Sequence, residues 1–273
     1  MAASFIQRDI PPLLERFELK YQIPMEMVAP ISKFVSVYCR LDRHSQEAPG
    51  GYYPVVSLYL DSPAYTFLER RRQGAEKRFN MRIRSYGSPS GIPCYFEIKQ
   101  KTGQIVKKFR AAVQDQRWPA MLTSPGADWN QETGWGNDNL RLFCSLALSY
   151  NTTPKVLTQY LRKAYVSEVD DYARVTFDRE LKFQPRDTYK VVVDESEMIH
   201  HDHEACFEPG TSVILELKCP TRSVPLWMLD LIRCFDLKQG SFSKYAAGME
   251  AVFQMCAAVT GYRIPATAFV YET

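Results

Sequence analysis

Cys94-Tyr95-Phe96-Glu97-Ile98-Lys99-Gln100-Lys101, a Thr102-Gly103 turn, and Ile105-Val106-Lys107-Lys108-Phe109-Arg110-Ala111-Ala112-Val113 decide the fold. Side chains two apart in a strand share a face. The first arm therefore sets Glu97, Lys99 and Lys101 on one side and Phe96 and Ile98 on the other. The second sets Lys108 and Arg110 opposite Phe109. The pair reads as an antiparallel hairpin with ions where a core face should be. Arg82-Ile83-Arg84, Glu216-Leu217-Lys218 and Glu18-Leu19-Lys20 repeat the same alternation.

Outward from this hairpin, Leu14 to Ile23 reads as a strand, and Pro24 opens an amphipathic helix through about Arg40. Tyr53 to Asp61 is a strand, Ala64 to Arg72 a short basic helix, and Lys77 to Tyr86 another strand. Asp115 to Tyr150 is an excursion of loop and helix, clearest over Asn139 to Tyr150. Strands resume at Lys155 to Val166, Ala173 to Phe183 and Thr211 to Cys219, with Thr188 to Val193 a weaker strand candidate. Leu226 to Leu237 and Ser243 to Ala258 are helical by period. Short turns between consecutive strands predict an antiparallel meander. With no repeat or linker, one domain over 1–273 is the simplest organisation.

Charge separates a solvated sheet face from a binding face. Glu18, Lys20, Arg82, Arg84, Glu97, Lys99, Lys101, Lys108, Arg110, Arg162, Arg174, Glu216, Lys218 and Lys244 make up the charged side. Eleven cations stand there against three acids, a balance of +8 in a chain whose formal charge is +3, which leaves −5 elsewhere. Two like charges about 6 Å apart at an effective dielectric near 20 repel by about 3 kcal/mol. Such a face needs an anion. The total of +3 is too small to argue for nucleic acid.

Neither G-x-x-x-x-G-K-[ST] nor G-x-G-x-x-G occurs, which excludes the common phosphate loops. Arg forks and Lys point charges spread over several strands suit an elongated multi-phosphate. Glu18, Glu97 and Glu216 are then the anomaly: each either pairs with the cation two residues on or holds a divalent ion that bridges phosphates. Seven scattered cysteines lack any C-x-x-C pair and read as reduced thiols. No segment approaches the roughly 18 apolar residues of a spanning helix, and a soluble, cytoplasmic protein without a membrane segment is expected.

The motifs Arg16-x-Glu18-x-Lys20-Tyr21, Tyr59-x-Asp61-Ser62, Arg82-x-Arg84-x-Tyr86-Gly87, Glu97-x-Lys99-x-Lys101, Lys108-x-Arg110, Tyr160-x-Arg162, Arg174-x-Thr176-x-Asp178, Glu216-x-Lys218 and Ser243-Lys244-Tyr245 follow one another along the chain. In that order they resemble the VTC-type polyphosphate polymerase domain of the triphosphate tunnel metalloenzymes, a CYTH-like superfamily. The resemblance implies an α+β fold: a closed antiparallel β-barrel of about eight strands forming a basic tunnel, with helices packed outside. It implies transfer of the γ-phosphate of ATP to a growing polyphosphate chain with Mn²⁺ or Mg²⁺. The ligands would be ATP, triphosphate and inorganic polyphosphate.

By the same resemblance Lys20, Arg84, Lys99, Arg162, Arg174 and Lys244 would be catalytic. Arg82, Lys101, Lys108, Arg110, Tyr160, Lys218 and Ser243 would bind substrate, and Glu216 would hold the metal. Arg16 at a position that is acidic in tunnel hydrolases favours the polymerase branch. Ser241 stands where a further base is common. Eukaryotic relatives carry an inositol-phosphate-sensing domain and membrane helices that are not expected in this chain, so coupling to transport would need membrane or regulatory partner proteins. A tunnel hydrolase and a noncatalytic polyphosphate-binding module are the alternatives. Two other clusters read as solvated: His200-His201-Asp202-His203-Glu204, without the H-E-x-x-H spacing of a zinc site, and Arg70-Arg71-Arg72 with Lys77-Arg78.

Overall fold

The structure is a computed structural model that describes residues 16–87, 90–123, 137–201, 213–221 and 223–260. Eleven strands run in chain order among these residues: β1 Arg16–Ile23, β2 Cys39–Leu41, β3 Tyr53–Asp61, β4 Lys77–Ser85, β5 Cys94–Thr102, β6 Ile105–Val113, β7 Thr153–Ser167, β8 Arg174–Pro185, β9 Ile199–His200, β10 Val213–Pro220 and β11 Gln239–Gly240. The α-helices are α1 Val28–Val35, α2 Arg43–Glu47, α3 Thr66–Arg72, α4 Ala120–Thr123, α5 Asn137–Ser149, α6 Leu226–Cys234 and α7 Lys244–Thr260.

Eight strands pair antiparallel in a ring, β1-β10-β8-β7-β3-β4-β5-β6, and β6 returns to β1. The closing seam among the described residues is the single pair Arg16↔Val106. The ring has two dissimilar faces because its strands alternate. Leu215, Leu217, Val175, Phe177, Tyr21 and Ile23 point outward and pack under α1 and α6. Met81, Ile83, Phe96 and Ile98 do the same under α5, with Phe143 and Cys144. The charged residues of the same strands are left facing inward.

Two irregularities adjust that parity. The β7–β8 register shifts between Gln159 and Leu161, and Glu180 takes φ 53° in β8. The shift leaves Arg162 opposite Asp178 while Phe183, past the bulge, turns toward α7.

α7 packs differently from the other long helices. Tyr245 stacks on Tyr59 with centroids 5.2 Å apart, and a Cβ on Gly248 would lie 2.7 Å from the Phe183 ring. Tyr59 belongs to the alternation that faces inward, so α7 caps one end of the ring's interior. Gly248→Ala should force this helix away from a fully buried ring, at about 1–3 kcal/mol. A denaturant melt of the variant measures it.

Two expected elements differ. The helix opened by Pro24 stops at Val35, and Cys39–Leu41 instead pairs with the end of β7, beyond the ring. Apolar spacing ends at Val35, and Val37 is largely exposed. Thr188 to Val193 forms no strand: Val191 is buried in irregular backbone against the outer core, where packing alone accounts for its apolar character.

Candidate functional site

Inside the ring, ten cations share four carboxylates among the described residues. Glu97 is the hub of one half. It lies opposite Arg82 on β4 and Arg110 on β6. It pairs with Arg82 at 2.8 Å, Arg110 at 3.4 Å and Arg84 at 3.9 Å, and with Lys108. Its side chain is 0% exposed. Burial, the largest influence, opposes its charge, but Lys108, Arg82, Arg84 and Arg110 together hold the carboxyl well below its usual range.

Glu216 is the hub of the other half. Lys218 is 2.7 Å away, Lys20 and Lys244 are each 3.7 Å away, and Arg162 is 4.0 Å away. Asp178 takes a bidentate grip from Arg162, both bonds 2.7 Å, and pairs with Lys244 at 2.6 Å. Glu18 pairs with Arg16 at 2.9 Å and with Lys99 across the seam. Burial raises the Glu18, Asp178 and Glu216 carboxyls and the surrounding cations reverse it, leaving Asp178 at about 2 and the other two well below their usual range.

Four anions cannot neutralise ten cations, and the excess appears in the lysines. Burial drives Lys20 down to about 7, Glu216 opposes it, and Lys99 and Lys244 add to the fall. Burial likewise takes Lys218 down to about 8. Lys108 falls well below its ordinary value because burial, with Arg110, Arg84 and Arg82, outweighs Glu97. Arginines do not deprotonate. The excess is felt at these lysines, whereas at Lys244 burial is outweighed by Asp178 and Glu216, which hold it above its ordinary value.

Most of the expected site residues assemble around these hubs, while Arg174 and Lys101 lie away from them. Tyr160 is 1% exposed, with Lys244 4.6 Å and Arg162 5.3 Å from its ring. Its hydroxyl is buried without a hydrogen-bond partner. The hydroxyl lies within the electrostatic reach of Arg82, Arg84, Arg162 and Lys244, which marks the focus of the interior. Lys20 donates to the Phe242 carbonyl, and Ser243 accepts the Ala246 amide at 3.3 Å at the start of α7. Arg174 stands at the rim, 3.0 Å from Asp42. Lys101 lies opposite Arg78, half-buried, its basicity lowered by burial and then by Arg78, Arg71 and Lys99.

The pairing of each acid with the cation two residues on survives only for Glu216 with Lys218. Glu97 bonds across strands, and Lys99 goes to Glu18. Asp178 and Asp42 join the acids without having been expected there. Asp178 was legible: it shares the face of Arg174 and Thr176 by period two. Asp42 had no local signal, because a long-range fold brings this helix cap to Arg174.

Asp61 of the Tyr59-x-Asp61-Ser62 motif lies outside the ionic set. It accepts the Ser62, Phe67 and Leu68 amides at the start of α3 and the Tyr245 hydroxyl at 2.6 Å. Lys244 is the residue preceding Tyr245, so this bond fixes a cation of the interior through α7. Tyr245→Phe should cost about 1–3 kcal/mol by leaving a buried carboxylate oxygen short of a donor. A chemical melt reads that loss, and an unchanged midpoint would remove the anchoring role.

Of the basic cluster, Arg70 and Lys77 are exposed, but Arg71, Arg72 and Arg78 are half-buried: Arg72 lies 5.8 Å from the Phe253 ring, and Arg71 and Arg78 act on Lys101, so the expected solvated face holds only in part. His200 is exposed in β9, His201 rests against Phe183 and Phe242, and 202–204 lie outside the described residues. Cys39, Cys144, Cys219 and Cys234 are free thiols, and Cys206 is outside the described residues. No helix among the described residues is long and apolar enough to cross a membrane.

A sequence profile of the VTC domain matches residues 15–253. Vacuolar transporter chaperone complex subunit 4 of Trypanosoma brucei brucei is 23% identical over 233 residues, and that of Trypanosoma cruzi is 22% identical. Each alignment takes in 73% of this chain and 28% of the relative, so the chain spans less than a third of the proteins it matches. Among solved structures, a Bacillus halodurans protein described as a candidate adenylate cyclase has a TM-score of 0.49 at 12% identity, over 85% of this chain and 95% of that one. A Hippeastrum protein described as a candidate adenylyl cyclase with a dominant triphosphatase activity has 0.47 at 12%, over 92% and 98%. The profile runs through every one of the strands that gather the interior ions, and the chain belongs to the VTC domain family.

Proposed function

We propose that the chain is a metal-dependent polyphosphate polymerase that transfers the γ-phosphate of ATP to a growing inorganic polyphosphate chain inside the ring. The observation that carries this reading is the excess of buried cations around the unpartnered Tyr160 hydroxyl. Phosphoryl transfer is mostly positioning and charge neutralisation. Arg82, Arg84 and Arg162 offer forks to paired phosphate oxygens, Lys20, Lys99, Lys108, Lys218 and Lys244 offer point charges, and Tyr160 donates its hydroxyl. No side-chain nucleophile is needed, because the terminal phosphate of the polymer attacks.

The acids suit a metal carried in with phosphate. Among the described residues no three His, Cys, Asp or Glu side chains form a cage. Glu216 is an oxygen donor flanked by Glu18 and Asp178, each of which feels its charge. Mg²⁺ and Mn²⁺ take one or two carboxylates and complete their shell with phosphate and water. Glu216 would hold the ion, which when bound neutralises charge on the phosphate oxygens. Phosphates entering the site draw Lys20, Lys218 and Lys244 away from Glu216.

Incubation with ATP and Mn²⁺ tests the reading. Polyphosphate chains are expected on a gel, whereas release of free phosphate alone would assign a hydrolase and tight polyanion binding without turnover a binding module. Protonation supplies a separate check. Lys108 is depressed in the ligand-free protein, so the unfolded chain binds more protons just below the ordinary lysine range, and stability rises with pH there. A bound phosphate restores the proton. Triphosphate binding is thus expected to take up protons in that window, affinity to fall as pH rises, and the uptake to shrink in Lys108→Met. Calorimetry in buffers of different ionisation enthalpy measures it, and uptake unaffected by the substitution would clear Lys108 of the role.

A further inference from the structure

We infer that a rim of aromatic rings at the end of the ring opposite α7 binds the base of a nucleoside triphosphate whose phosphates enter the charged interior. The inference rests on the proposed triphosphate chemistry of that interior. The two ends of the ring are built differently. β3 runs from Tyr53 to Asp61, and α7 is anchored at the Asp61 end through Tyr245. At the Tyr53 end, His44 of α2 stacks on Tyr86 with centroids 5.2 Å apart and planes 11° apart. His44 also lies 5.1 Å from Tyr53, and Tyr86 lies 5.5 Å from Tyr95. The rings form a continuous arc.

Core packing accounts for Tyr53, which is buried in an apolar cluster, and in part for Tyr86 against it, but not for His44 or Tyr95. His44 is exposed, Tyr86 and Tyr95 are half-buried, and neither His44 nor Tyr95 belongs to any of the three apolar clusters. The arc instead continues the phosphate-facing cations. The Arg110 guanidinium lies 3.6 Å from the Tyr95 ring centroid and donates to the Tyr86 hydroxyl at 3.3 Å, while its Nε is 3.4 Å from Glu97. Arg84, Arg110 and Arg162 act on the Tyr86 hydroxyl against its burial. One ring thus lies between the interior cations and the exposed imidazole. A nucleoside triphosphate has that order of parts: a charged tail, a short sugar spacer and a flat π-system that extends a stack.

Stacking is tolerant of base identity because every base presents a π-face. Asp42, which caps the helix that carries His44, already takes the Ser45 amide, the Tyr53 hydroxyl and Arg174. The rim therefore distinguishes a nucleotide from a bare phosphate chain rather than one base from another. Purines should bind better than pyrimidines through their larger area.

Affinities for ATP and for inorganic tripolyphosphate, measured by calorimetry on wild type, His44→Ala and His44→Trp, test the assignment. His44→Ala is expected to weaken ATP about tenfold and leave tripolyphosphate unchanged. His44→Trp is expected to restore ATP affinity, with the introduced indole quenched by ATP and not by tripolyphosphate. Unchanged ATP affinity in His44→Ala, or equal weakening of both ligands, would overturn the rim site. If wild type bound ATP through the rim but failed to bind tripolyphosphate, the interior phosphate reading would fall and the base site would stand.

Discussion

Glu97→Gln is expected to lower the stability of the ligand-free protein by about 3–5 kcal/mol, and tripolyphosphate is expected to restore much of it. The carboxylate is fully buried and contacts four cations, three of them arginines that cannot shed a proton. Gln keeps the shape and removes the charge. Lys108 can deprotonate in response, but Arg82, Arg84 and Arg110 remain as like charges in a water-poor interior. A bound polyanion supplies the missing negative charge, so the variant should gain more from the ligand than wild type does. Thermal melts with and without tripolyphosphate provide the comparison. Equal ligand gains in the two proteins would mean that Glu97 and the ligand do not answer the same cations.

Glu216→Gln is expected to reduce metal-dependent turnover about 10³-fold, the rate equivalent of roughly 4 kcal/mol of lost charge stabilisation. Tripolyphosphate binding should persist or tighten. Glu216 competes with phosphate for Lys20, Lys218, Lys244 and Arg162, so neutralising it releases cations to the ligand while removing the carboxylate proposed to hold the metal. The expected signature is a fall in kcat with KM unchanged or lower. Turnover at the wild-type rate would take Glu216 out of the metal role. Loss of tripolyphosphate binding in a folded variant would make its role structural instead.

The neighbouring acids show how much was legible beforehand. Glu18, Glu97 and Glu216 were placed on the charged face by period two alone, and each lies there. Their partners were not legible, since period two links residues of one strand whereas Glu97 is held by β4 and β6 and Lys99 crosses the seam to β1. Asp42 and His44 have no periodic signal. Both sit on a short helix after β2, and β2 itself was hidden in what looked like the tail of a longer helix.

Alternation along each strand, readable from residues alone, determined that this chain makes a sheet with one ionic and one apolar face, and that the ionic face carries a large positive excess. The ordered motifs determined its family. Which way that face turns was decided by tertiary structure: closure of eight strands through β7–β8 and the Arg16↔Val106 seam puts the cations inside, where four carboxylates must be shared. The physical reason is range. Side-chain alternation is a property of neighbours along the chain, whereas closure, the β7–β8 bulge, the docking of α7 and the aromatic rim arise from pairings between residues far apart in sequence, whose geometry no local pattern records.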